Sequence, residues 1–321
     1  MSVHSCIGGV AYALPATSRS VAELALAGQL QSDPAVLEQF GFGTVHVAVA
    51  ESPYELALRA ARRLLEERAM DPESVDVLIW GGSPWTIAFA PGAARPNGAA
   101  LHTTERFKYP ATRLQYELGL SRAHVFGIDQ LACTTLFAAV RLARALIGAG
   151  EARRVLCVSA EFFPGDAGRE AIFNCTSDAA CAVVVEGEGD RNRLVGAAQV
   201  TKGYYWDCDA LRNEIVASYF PTSQHVIARV LAEAGWQAGD VDWVIPHNVS
   251  LRSWELLLRL ARLPKARLWS ANIARLGHTL AGDNFINLRD ALAVGDVLPG
   301  EKLVLFSYGY GAHWTALAVE A

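Results

Sequence analysis

Three side chains in this sequence are of the types that nucleophilic acyl chemistry needs. They are Cys133 in Leu131-Ala-Cys-Thr-Thr135, His247 in Val244-Ile-Pro-His-Asn248, and His278 in Gly277-His-Thr-Leu-Ala-Gly-Asp283. The thiolate is the attacking species, a neighbouring base or cation must hold it, and the tetrahedral intermediate needs hydrogen-bond donors for its oxyanion. Taken singly, a cysteine beside an apolar strand is ordinarily core, and a loop histidine is ordinarily solvated or capping. All three, however, fall in strand-to-helix connections. Cys133 follows a strand expected to end at Asp129 and opens a helix expected from Thr134, where the positive end of the helix dipole favours thiolate. Asp283 lies five residues beyond His278, close enough to orient an imidazole; the alternative is that it caps the helix running through Leu288. Gly309 and Gly311, in Phe306-Ser-Tyr-Gly-Tyr-Gly-Ala-His-Trp314, lack the third glycine of a dinucleotide loop and follow the last strand, which fits a flexible oxyanion loop better.

The elements that must position these residues follow from periodicity. Strands are predicted at Cys6 to Ala13, Val75 to Trp80, Ala123 to Asp129, Arg154 to Ser159 and Ala179 to Val185. Between them come helices at Ser52 to Glu67, with Leu56, Ala60 and Leu64 on one face, near Ala111 to Leu118, and at Thr134 to Gly148. The order is α/β. Glu73-Ser-Val-Asp-Val-Leu-Ile returns as Gly239-Asp-Val-Asp-Trp-Val-Ile, and the pattern of Ala138 to Ser159 returns at Ile286 to Ser307, as helix, glycine turn, charged corner and apolar strand. This predicts a duplicated α/β half, with residues 1–188 carrying the cysteine and 189–321 the histidines. Ligands in open α/β sheets bind beyond the carboxyl ends of the strands, so equivalent loops of the two halves are expected to meet. The Gly/Pro-rich connection from Gly81 to Pro110 carries Trp85, Phe89, Phe107 and Tyr109. It is expected either to wall an acyl or acceptor pocket or to pack on a dimer partner.

Composition removes other classes. Of 321 residues 52% are hydrophobic and 19% charged, which excludes a disordered chain, and a net charge of −5 without basic runs speaks against nucleic acid as a partner. The most apolar stretch, Leu131 to Gly150, contains Arg141 and Arg144, so no membrane span is expected. With no Lys or Arg before Arg19, a signal peptide is not supported, and the cytoplasm is the expected compartment. The other cysteines, at 6, 157, 175, 181 and 208, form no CxxC pair, so they read as core thiols and no metal site is expected. Of the other histidines, His4, His46, His102 and His124 read as structural and His225 as surface, while His313 stays open.

At these residues the sequence resembles the thiolase superfamily, specifically β-ketoacyl-acyl carrier protein synthase III and its acyltransferase relatives, over nearly the whole chain. Ala132-Cys133 before a long helix resembles the nucleophile segment, Pro246-His247-Asn248 the first catalytic histidine, Gly277-His278-Thr279 the third catalytic position, and Tyr308 to Trp314 the closing glycine loop. The resemblance implies two βαβαβ-based halves stacked as a five-layered α-β-α-β-α sandwich, an acyl-thioester on Cys133, and a homodimer. Family synthases usually have Asn where this chain has His278. The resulting Cys-His-His set is that of elongating ketoacyl synthases, whereas Gly-His-x4-Asp resembles relatives that transfer acyl groups without decarboxylative condensation.

Tyr310 takes the place of the middle glycine, and backbone N–H groups of Cys133, Tyr310 and Gly311 are the oxyanion donors expected. The family's coenzyme A segments have no clear counterpart, which makes the phosphopantetheine of an acyl carrier protein a more attractive donor than coenzyme A; no permanently bound cofactor is implied. Arg252 matches a position that meets the carrier, or is a solvated helix charge. The expectation is a cysteine-dependent acyltransferase of specialised polyketide or fatty acid type, moving an acyl group to a small-molecule or carrier-bound acceptor. Decarboxylative condensation with a malonyl thioester and a non-catalytic partner subunit are the alternatives.

Overall fold

Apolar runs in each half of the chain build a five-stranded mixed sheet. The computed structural model describes residues 5–82, 108–163, 167–172, 174–263 and 266–321. The first sheet contains β1 (Cys6–Ala13), β2 (Val77–Gly82), β3 (His124–Ile128), β4 (Arg154–Glu161) and β5 (Ala179–Glu186). The second contains β6 (Arg193–Thr201), β7 (Trp243–Pro246), β8 (Arg267–Leu268), β9 (Lys302–Gly309) and β10 (His313–Glu320). Their hydrogen-bonded order is β8-β7-β9-β10-β6-β1-β5-β4-β2-β3, one order written twice and mirrored at the β6–β1 junction, where Cys6 and Arg193 form the one register pair. In each half the three strands farthest from that junction run parallel, and the two nearest it pair antiparallel.

The longer helices are α1 (Pro53–Glu67), α2 (Pro110–Glu117), α3 (Thr135–Gly148), α4 (Arg212–Ala234), α5 (Leu251–Leu260) and α6 (Asp283–Ala293). Both faces of the sheets are covered, so their strands read as continuous apolar runs whose alternate residues serve different layers. On β4, Val155 and Cys157 face the central layer, where Leu136 and Val140 of α3 and Phe285 and Leu288 of α6 fill the space between the sheets. Leu156 and Val158 face outward, under Leu56 and Leu64 of α1 and Leu114 of α2. On the far side Val226 and Val230 of α4 and Trp254 and Leu257 of α5 cover Val244, Val304 and Ala316. These are the five layers the resemblance implies. The repeated sequence blocks also coincide, because Pro72–Ser74 and Ala238–Asp240 are matching 3-10 turns ahead of β2 and β7.

A buried ion pair stiffens the segment that borders the histidine loop. Arg169 and Asp178 are both fully buried and meet in a two-pronged pair, Nη1 to Oδ1 at 2.7 Å and Nη2 to Oδ2 at 3.0 Å. Asp178 also accepts from the amides of Ala48 and Phe163, at 2.8 and 2.9 Å. The segment so fastened reaches His278: the Ser177 amide donates to the His278 carbonyl at 2.9 Å, and the His278 amide donates to the Cys175 carbonyl at 2.7 Å. Removing one partner leaves the other charge buried and unpaired, which costs about 3–5 kcal/mol. Arg169→Met is therefore expected to lower unfolding free energy in urea by that amount, and a loss below about 1 kcal/mol would show that the pair contributes little.

Candidate active site

The nucleophile turn is built against backbone preference. Beyond β3 the chain passes Gln130 at φ +63° and Ala132 at φ +46°, both left-handed without being glycine, and enters a 3-10 turn over Ala132–Thr134. Such residues cost about 1–2 kcal/mol each, so surrounding contacts must hold the turn. The Thr134 amide and hydroxyl both donate to the Leu131 carbonyl, at 3.0 and 2.7 Å, and the Thr135 hydroxyl donates to the Ala132 carbonyl at 2.8 Å. Gly309 presses on the same turn: a Cβ there would stand 2.5 Å from the Leu131 oxygen and 3.2 Å from the Cys133 nitrogen. Sequence periodicity puts Cys133 at the mouth of a helix starting at Thr134. In the structure it lies within the 3-10 turn, and α3 begins at Thr135. The Cys133 amide precedes the first hydrogen-bonded amide of the turn and lies on the side packed against Gly309.

His278 and Asp283 complete a chain of three groups. Cys133 Sγ lies 3.2 Å from His278 Nε2, and His278 Nδ1 lies 2.5 Å from Asp283 Oδ2. Asp283 Oδ1 accepts from the Thr279 amide and hydroxyl, and Oδ2 also accepts from the Asn248 amide, all at 2.6 Å. Asp283 is the first residue of α6, and its carboxylate reaches back to the loop without making a side-chain cap. Burial alone would depress the His278 pKa, but Asp283 and the Cys133 sulfur together outweigh it and hold the imidazole well above its ordinary value.

His247 is set differently. It follows β7 directly, and its Nδ1 lies 3.2 Å from the Phe306 carbonyl, which can only accept, so Nδ1 carries the proton and Nε2 a lone pair. Burial first, then the neighbouring His278 charge, push its pKa down to about 3, so it stays neutral through the physiological range. The two rings are 6.2 Å apart.

Cys133, His247 and His278 open into one cavity of about 540 Å³. Its walls include Tyr219 and Phe220 of α4, Arg252 and Leu256 of α5, and Tyr308 and Tyr310 of the closing loop. Tyr310 is not among the residues at positive φ, so a side chain where the resemblance expects glycine adds no backbone strain. Gly311 does need glycine, with φ +117° and a Cβ position only 3.0 Å from His313 Nε2. The sequence candidates Cys133, His247, His278, Asp283, Tyr310 and Arg252 thus converge. Tyr109 is half exposed at the start of α2 and does not line this cavity; Trp85, Phe89 and Phe107 lie outside the described residues. Pattern reading missed the α4 wall, although the run Tyr219-Phe220 before a helix-interior Pro221 was a usable signal. It also left His313 open, which is buried with Nδ1 at 3.0 Å from the Thr201 hydroxyl. Of the other thiols, burial raises those of Cys157 and Cys181, and burial with Glu170 pushes Cys175 up to about 12. Among the described residues no helix is long and apolar enough to cross a membrane.

The mirrored strand order, the five layers and a cysteine at the meeting of the two halves define an acyltransferase of thiolase fold. Comparison with known proteins narrows the class. The family described as 3-oxoacyl-[acyl-carrier-protein] synthase III matches residues 129–203, and its C-terminal counterpart matches residues 231–321. Together they span more than half of the chain, which belongs to the 3-oxoacyl-[acyl-carrier-protein] synthase III family. A β-ketoacyl-[acyl-carrier-protein] synthase III from Rhizorhabdus wittichii is 28% identical, with 97% of each chain covered. The crystal structure of the Aquifex aeolicus synthase III superposes with a TM-score of 0.82 at 23% identity, covering 99% of this chain and 100% of that one. A structure titled as the acyltransferase ChlB3 superposes with a TM-score of 0.81 at 22% identity, covering 99% and 98%.

Proposed function

We propose that the protein transfers an acyl group, without decarboxylation, from a phosphopantetheine thioester to an acceptor nucleophile by way of Cys133. The observation that carries this reading is the Asp283 carboxylate on Nδ1 of the imidazole whose Nε2 faces the Cys133 sulfur. That arrangement is a proton relay with a fixed tautomer and a stabilised imidazolium. A decarboxylating synthase needs instead neutral hydrogen-bond donors aimed at the enolate oxygen. His247 presents a bare Nε2 to the cavity, which suits that task poorly.

In the first half-reaction the Cys133 thiolate attacks the thioester carbonyl, and the amides of Cys133 and Tyr310 hold the oxyanion, the Gly311 amide being turned toward Cys208. Collapse breaks the carbon–sulfur bond to the pantetheine sulfur, which leaves with the proton from His278 Nε2. Acylation removes the thiolate charge that helps to raise the His278 pKa, so the imidazole becomes a usable base. In the second half-reaction the acceptor gives its proton to His278 Nε2 as it bonds to the acyl carbon, and the Cys133 thiolate leaves. An acyl carrier protein is the preferred donor, with Arg252 at the cavity meeting it, and specialised metabolism is the setting we assign. The edge strand β3, with Phe126 43% exposed, supports a homodimer through that edge, and the chain divides at 188/189 between β5 and β6.

Intact-protein mass spectrometry after incubation with acyl-coenzyme A and acyl-carrier panels tests the reading, together with carbon dioxide release from malonyl carrier. The expected result is one acyl adduct per chain and no carbon dioxide. Stoichiometric carbon dioxide release would make the protein a condensing enzyme, and the absence of any adduct would make it a non-catalytic subunit.

A further inference from the structure

The first turns of α6 carry a polar arrangement that acyl transfer by itself does not use. Asn284 and Asn287 are fully buried between the two sheets, as is Asn248 just beyond His247. An amide in such a place is costly unless hydrogen-bonded, so its partners show what it holds. The Asn248 side chain donates from Nδ2 to the Gly277 carbonyl at 2.7 Å, one residue before His278. Its Oδ1 accepts from Asn287 Nδ2 at 2.8 Å, and Asn287 also donates to the Pro246 carbonyl at 2.8 Å, one residue before His247. The Asn248 backbone amide donates to Asp283 Oδ2, the oxygen that faces His278 Nδ1. Asn284 donates to the Phe306 carbonyl at 2.9 Å, the same oxygen that meets His247 Nδ1.

We propose that Asn248, braced by Asn287, is a positioning residue whose side chain locks the His247 and His278 loops to one another and so keeps the His278 imidazole in line with the Asp283 carboxylate. The inference rests on the reading of Cys133, His278 and Asp283 as one unit, and adds the residue that sets their geometry. Without the Asn248 side chain the Gly277 carbonyl loses its anchor and the loop bearing His278 gains freedom relative to the carboxylate. A displacement of about 1 Å in such a unit costs up to about a hundredfold in rate.

The test is the pH dependence of Cys133 alkylation by iodoacetamide, followed by intact mass and peptide mapping, with thermal melting as the folding control. The titratable groups around His278 are Cys133, Asp283 and His247, with Tyr308 and Tyr310 coupled to Cys133; Asn248→Ala changes none of them. Wild-type Cys133 is expected to react faster than glutathione at about pH 6, where an ordinary thiol is protonated. Asn248→Ala should be about tenfold slower at that pH and approach wild type at about pH 9.5, where ionisation no longer needs the imidazolium. Asn287→Ala, one bond further away, should shift the profile in the same direction by less, and it decides the matter if Asn248→Ala does not fold. An unchanged profile with a lowered melting temperature would overturn the proposal and leave Asn248 a merely structural residue. Wild-type reactivity no higher than glutathione would overturn it together with the base role of His278.

Discussion

Cys133→Ala is expected to form no acyl adduct with any donor and to lose turnover by about 10⁶-fold, the scale seen when a covalent enzyme is stripped of its nucleophile. Only Cys133 combines an imidazole at 3.2 Å from its sulfur with a place in the cavity. Cys157 and Cys181 are fully buried in the sheets, and burial holds their thiols up, away from thiolate. Cys175 is buried as well, with Glu170 adding to the effect. Cys208 is the informative control, because it is only half-buried and sits close enough to Gly311 to accept from its amide. Cys208→Ala should therefore load like wild type. An adduct that survives Cys133→Ala and maps to Cys208 would remove Cys133 from the mechanism.

What the sequence made legible was whatever depends on local order. Cys133 and His247 stand after strands, and alternation with helices suffices to place them at one end of a sheet, whereas His278 follows the short helix Ala271–Leu276 and not the strand expected before it. The mirrored halves were visible because Glu73 to Ile79 and Gly239 to Ile245 repeat a turn and a strand entry, which local residues determine. Asp283 was ambiguous because first helical residue and imidazole partner are the same spacing in one dimension. Only the fold back onto Thr279 and Asn248 separates them. The Arg169–Asp178 pair and the amide ladder through Asn248 and Asn287 were illegible for a related reason. Partners separated by nine or thirty-nine positions carry no periodic signal, and a polar residue in sequence does not announce burial. The walls on α4 were missed because the cavity is set by which face of that helix turns toward the closing loop.

The second large effect concerns His278, and it separates a base from a hydrogen-bond donor. His278→Asn preserves an amide donor near the sulfur but cannot accept and release a proton, so turnover should fall by about 10²–10⁴-fold. The variant also carries a pH signature. Asp283 and the Cys133 sulfur raise the His278 pKa above its ordinary value, so the imidazolium persists as pH rises past about 6.5. Its contribution to stability is fully present below that value and is lost as pH rises through the raised one. Wild type should therefore exceed His278→Asn in stability by more at about pH 6 than at about pH 10. His247 has the opposite sign: with its pKa at about 3 it costs stability as pH falls from about 6.5. Alkylation of Cys133 should slow most near neutrality in the variant and converge with wild type above about pH 9, where an ordinary thiol ionises unaided. Turnover within tenfold of wild type, with an unchanged alkylation profile, would show that His278 only donates a hydrogen bond, and would favour decarboxylative condensation over direct acyl transfer.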